Sequence, residues 1–290
     1  IFIFMLFSLE NISRQKAQYH SPSKGGFKIK TKIKLKGYQA FIACGICSLV
    51  FLISFVFPLS QMTYWTFLFP KHVLDLNLLE LLGNTLLLVF LSCCILILLS
   101  FISNYGNRIT KSKFLQVLTT FSISGYAMPG VILAVAYISF ISFLSENLIS
   151  NLNLKSLFIG SIFGLVIVYF VRFYSLANNG IKSGYLKINY SIDESAYLLG
   201  YSKIKTFKNI HLPFLRNSIF LVVILLSIEI VKELPITLIM RPFNFDTFAT
   251  TAYTYASQDL LEAAAAPAIF LILISSLFIL LTSRYILKEQ

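Results

Sequence analysis

Six apolar stretches, each long enough to cross a bilayer, decide what this chain can fold into. They run from about Tyr38 to Leu59, Leu78 to Ile102, Leu115 to Leu144, Leu154 to Leu176, Phe214 to Met240 and Ala264 to Ile286. A spanning helix needs about 20 apolar residues to cover roughly 30 Å of hydrocarbon, and each stretch meets that length. Composition agrees. Hydrophobic residues are 57% of the chain and charged residues 12%, about half the charged share of a soluble domain. The predicted fold class is an all-α membrane protein with six transmembrane helices.

The net charge of +12 invites a nucleic-acid reading. That reading fails because the basic residues sit between apolar runs instead of on one soluble face. They work better as topology signals. Glu10 to Lys36, the loop with Arg108, Lys111 and Lys113, the long loop from Arg172 to Arg216, and the C-terminal Arg284 and Lys288 are all basic. The alternate loops hold only Lys71, Lys155 and Arg241. The basic side is therefore expected to be cytoplasmic.

Cys44 and Cys47 form a C-x-x-C, but within an apolar helix they read as small packing residues, as do Cys93 and Cys94. His20, His72 and His211 are far apart in sequence, and no metal site is expected. Ile1 to Leu9 is apolar yet rises only about 13 Å. It reads as the end of a truncated upstream helix. Residues 10–37 read as a basic cytoplasmic linker touching anionic lipid, and residues 38–290 as the membrane domain.

Between the fourth and fifth spans lies a polar island, about residues 177–213, centred on Asp193-Glu194-Ser195-Ala196-Tyr197-Leu198-Leu199-Gly200. Ser191 and Glu194 have capping-box spacing, so a helix is expected to start there. Gly200 suits a left-handed turn and Ser202 a second cap. Pro213 suits the first turn of the next membrane helix. The predicted form is a helix-turn-helix lying on the membrane surface.

The island also carries a resemblance. Glu194-Ser195-Ala196, three residues, Gly200, nine residues, Ile210, one residue, Leu212-Pro213 resembles the E-A-A-x3-G-x9-I-x-L-P loop of ABC-importer membrane subunits. The departure is Ser195 for the first Ala, small for small. The resemblance implies a permease of the ABC-importer type whose cytoplasmic loop is a coupling helix docking into an ATPase. It further implies that Glu194 contacts the ATPase, with Ala196 and Gly200 allowing close packing. No G-x-x-x-x-G-K-[ST] phosphate loop occurs. ATP and Mg are thus expected on a partner ATPase dimer, with no cofactor and no catalysis in this chain.

Two stretches suggest a pathway. Met128-Pro129-Gly130 interrupts the third span, and a proline there kinks or breaks a helix. Glu229, Lys232 and Glu233 interrupt the fifth, about 22 Å along from Phe214. Their spacing predicts one shared helix side, and ionisable groups at such depth are functional candidates. Pro235, Thr237 and Arg241 follow, in a stretch reading E-L-P-x-T-L…R-P-x-x-F-x-T-x-A. It resembles permeases of the iron(III) importer group, which commonly carry two fused six-helix halves. Asn84-Thr85 is similar to the start of the transmembrane core in many ABC permeases.

The resemblance implies an inner-membrane permease, in its C-terminal half. Its partners would be a periplasmic binding protein, an ATPase and a second permease half, and its solute iron(III). Thiamine, polyamine and phosphonate permeases are relatives and remain open. A rival of another class is an ion-coupled secondary transporter using Glu229, Lys232 and Glu233 as a relay.

Overall fold

The computed structural model describes residues 37–74, 76–110, 112–147 and 154–289. The expectations for Ile1 to Leu9 and for nearly all of the basic linker lie outside the described residues. The chain divides into two compact units, Ile1–Pro58 and Leu59–Gln290. The described part of the first is helical from Tyr38, with a π turn at Leu52–Val56. This helical run, α1, extends over Tyr38–Leu68.

The second unit is helical among its described residues. After α2 (Pro70–Leu74) come α3 (Leu78–Thr110), α4 (Lys113–Ile123) with a 3-10 turn at Ser124–Ala127, α5 (Gly130–Asn147) and α6 (Leu154–Phe158). Then follow α7 (Ile162–Tyr185), α8 (Tyr190–Leu198), α9 (Lys203–Val231), α10 (Pro235–Met240), α11 (Phe248–Ser257) and α12 (Leu261–Glu289). Five helices among the described residues are long and apolar enough to cross a membrane, or six if the bent pair α4–α5 is one span. This is a multi-pass membrane protein.

Several boundaries differ from the sequence expectation. The third span is no single helix. It breaks between Ala127 and Gly130, and its two arms are bent by 119°. Pro129 cannot donate to the Gly125 carbonyl, which instead accepts from Met128 N in the tighter turn. The fourth span begins at Ile162, capped by Ser161 accepting from Gly164 N, and continues to Tyr185. Arg172 therefore lies inside a spanning helix and not in a loop. The fifth span stops at Val231, because Pro235 has no N–H to offer the Val231 carbonyl.

The core forms where α7 packs against α3 and α9. Leu88 and Leu96 of α3, Leu165, Tyr169 and Phe173 of α7, and Leu215 and Leu226 of α9 are fully buried or nearly so. Lipid tails are as apolar as these side chains, so close packing and polar contacts hold the helices together. At about 50 Å, α3 is longer than the hydrocarbon is thick. Its last turns carry Ser103, Asn104, Asn107 and Arg108, polar residues suited to the space beyond the bilayer core.

Candidate functional site

Two places gather the polar side chains. The first is the island between α7 and α9. Here α8 starts at Tyr190, and its cap is Asn189, whose side chain accepts from Ser191 N. Ser191 is already inside the helix, so the expected Ser191–Glu194 capping box does not form. The C-terminal prediction holds in detail. Gly200 has φ +80°, Gly200 N donates to Tyr197 O and Tyr201 N to Ala196 O, both at 3.0 Å. These are the two bonds of a Schellman motif. Nothing lies within 4 Å of a Cβ placed on Gly200, so its role within this chain is conformational. Ser202 then caps the next helix, accepting from Lys205 N.

From Lys203 the chain stays helical to Val231. Pro213 lies in the first turn of the α-helical stretch Leu212–Val231, as expected, but that stretch continues the short helix before it without a break. A π turn at Phe207–His211 precedes it, and the wider winding accommodates the carbonyl that loses its proline donor. Ile210 is half-buried, while Leu212 and Pro213 are exposed.

The island is held by residues that sequence patterns did not single out as a group. Asp193 is buried, and its carboxylate takes Arg108 Nε at 2.6 Å and His211 Nε2 at 2.6 Å. The same guanidinium donates to the carbonyls of Ile188 and Asn189, each at 3.0 Å, and lies over the Tyr190 ring at 4.3 Å. Tyr105 donates to Lys203 O at 2.5 Å. Thus the end of α3 grips both arms of the helix-turn-helix. Ala196 is buried beneath, whereas Glu194 and Ser195 are exposed. Leu198, Leu199 and Ile204 are 88%, 78% and 80% exposed.

The second place is where two helix breaks meet. Arg172 of α7 donates through Nη1 to Met128 O at 3.1 Å, and its Nε lies 3.3 Å from Glu233 Oε2. Glu233 Oε1 accepts from Ile236 N at the start of α10. Gly130 lets the pair lie close, since a Cβ there would sit 2.9 Å from Glu233 Oε1 and 3.0 Å from Arg172 Nη1. The break at Met128-Pro129 and the break before Pro235 are thereby both strapped to α7 by Arg172, the first through a hydrogen bond and the second through an ion pair.

The expected shared side of Glu229, Lys232 and Glu233 is not formed. Lys232 pairs with Glu229 at 2.7 Å and is half exposed. Glu233 has left the helix and is buried against Arg172. Thr237 is buried too; its hydroxyl donates to Glu233 O at 2.8 Å and meets the Tyr169 hydroxyl. Met128 and Pro129 are exposed. Arg241 stands apart, ion-paired with Asp246. Burial presses its guanidinium below the ordinary range. Asn84 donates to Asp246 O at 3.0 Å, and the Thr85 hydroxyl accepts from Phe248 N. The Asn-Thr pair therefore anchors the segment before α11.

No protein-family model matches the chain. It is 21% identical over 163 residues to the Fe(3+)-transport system permease protein FbpB 2 of Haemophilus influenzae, a match covering 56% of this chain and 30% of that protein. The chain thus spans under a third of the length of the curated relative it matches. Among solved structures it superposes on a bacterial alginate ABC transporter bound to its alginate-loaded periplasmic protein. The TM-score is 0.67 at 16% identity, covering 84% of this chain and 92% of that one. A second alginate importer structure gives 0.64 at 17% identity, over 85% and 94% of the two chains. The inward-facing methionine transporter MetNI gives 0.50 at 14%, over 71% and 93%. At such identities the likeness carries the fold, and the chain is built on the fold of ABC transporter permeases.

Proposed function

We propose that this chain is a transmembrane permease subunit of an ATP-driven importer. A binding protein on the outer side would deliver solute, and a separate ATPase would act on the α8 loop from the cytoplasm. One observation carries this reading. A helix-turn-helix, clamped by the buried Arg108–Asp193–His211 cluster, presents Glu194, Leu198, Leu199 and Ile204 uncovered among the described residues. Monomeric proteins rarely leave contiguous large apolar side chains exposed, and such patches mark contact surfaces. The clamp gives a force on the loop a stiff route into α3 and α9.

Iron(III) is the proposed solute, supported by the likeness to the Haemophilus influenzae ferric permease and by the E-L-P-x-T-L stretch. The proposed location is the inner membrane, beside a second permease half. ATP and Mg would be bound by the partner.

The test is uptake and ATP hydrolysis in proteoliposomes holding the ATPase and binding protein. Gly200→Trp, or Glu194 and Gly200 replaced together, should leave hydrolysis running while iron uptake falls at least tenfold. Uptake equal to the wild type would refute the docking role.

A further inference from the structure

Beside the loop clamp lies a cavity of about 710 Å³, formed by the end of α3, one side of α4, the end of α7 and the linker into α8. Its walls carry the amides of Asn104, Asn107, Gln116 and Asn178 and the ammonium groups of Lys182 and Lys187. No carboxylate is among the described residues that line it. Arg108 also reaches it, but that charge is matched by Asp193. Neither lysine has an ion-pair partner among the described residues.

Two further observations indicate a ligand. The Tyr185 hydroxyl is buried without a hydrogen-bond partner, in a residue 7% exposed that lines the cavity. Buried polar groups are rarely left unpaired. Asn178 is 2% exposed, and its carbonyl oxygen is already occupied by Asn104 Nδ2 at 2.7 Å and Ser103 Oγ at 3.2 Å. Its amide nitrogen is left to donate. The wall is therefore positive in charge, and Lys182, Lys187 and the Asn178 amide supply its free donors, while the Asn104 amide is spent on Ser100 O and Asn178 Oδ1 and the Asn107 amide on Thr119 Oγ1, leaving Asn107 Oδ1 unpaired.

We propose that this cavity binds a small oxyanion, a phosphate, phosphonate or carboxylate group. Ammonium and amide N–H donors match the lone pairs of such a group, and charge assistance strengthens each bond. A polyamine or other cation would meet Lys182 and Lys187 with like charge. Lysines serving topology alone need only sit near the membrane surface; they need no amide wall around them. The Ile188 and Asn189 carbonyls that Arg108 holds belong to residues lining the same cavity. An anion bound here would stabilise the clamped form of the loop by mass action. The ligand has two sources, a free cytoplasmic anion or the phosphodiester of an anionic lipid. The inference stands on the cavity and does not depend on the transported solute.

The experiment uses the full chain in nanodiscs of neutral phosphatidylcholine, titrated with inorganic phosphate at constant ionic strength and followed by thermal unfolding. A saturable rise in unfolding temperature is expected. The affinity should weaken at least tenfold when Lys182→Gln and Lys187→Gln are combined, and should survive Lys182→Arg with Lys187→Arg. Spermidine should give no rise. If free phosphate has no effect but phosphatidylglycerol discs stabilise the wild type and the arginine variant over the glutamine variant, the headgroup is the source and the site stands. Equal responses of the wild type and glutamine variant, no response to either anion source, or a matching rise with spermidine would overturn it.

Discussion

Asp193 is the residue on which the α8 loop depends. Its carboxylate neutralises Arg108 and bonds His211, whose side chain is fully buried. Removing one partner of a buried ion pair leaves an uncompensated charge and costs about 3–5 kcal/mol. Asp193→Ala should therefore lower the unfolding temperature in detergent and loosen the loop, seen as faster proteolysis between Leu186 and Lys203. Arg108→Ala should do much the same, and the double variant should cost far less than the sum. Additive losses would show that the two residues act separately. The neighbouring Glu194 makes no such contact among the described residues and is exposed. A local pattern reveals Gly200 and Ser202, because Schellman and cap bonds join residues at most five apart. The same reasoning misplaced the cap at Ser191, since Asn189 two residues earlier is an equally good acceptor.

At the scale of elements, the two helix breaks matter most. Each follows from a proline, Pro129 or Pro235, that cannot donate to the carbonyl four residues back. What the prolines do not specify is that the breaks meet, or that Arg172 joins them. Arg172→Leu and Glu233→Leu should each destabilise the protein by about 3–5 kcal/mol, while the double substitution should recover most of that loss. Thermal unfolding of the three variants is the measurement; a double variant no better than the worse single one would deny the pairing. Uptake by the double variant then separates stability from movement. If the strap must open and close during transport, uptake should stay low although the unfolding temperature recovers. A sequence signal for this pair existed: two opposite charges, at positions 172 and 233, within or beside long apolar stretches.

For the whole molecule, orientation is the decisive property. A Glu194→Cys variant, in a background with Cys44, Cys47, Cys93 and Cys94 changed to Ser, should react with an impermeant maleimide only from the cytoplasmic side. Reaction from the outer side would remove the ATPase reading and favour an ion-coupled transporter. The prediction rests on the basic loops alone, since alternate loops differ in Lys and Arg as the positive-inside rule requires.

The apolar runs, the basic loops and the spaced Glu194–Pro213 motif by themselves determined that the chain is a helical membrane protein with a capped surface loop. Hydrocarbon thickness and backbone hydrogen bonding leave a segment of that length no other form. Tertiary packing set that the two proline breaks meet, that Glu233 pairs with Arg172 there, and that Arg108 reaches across 85 residues to Asp193. Such pairings depend on which helix faces which, and in a bilayer that choice is made by close packing and polar contacts, which no single segment encodes.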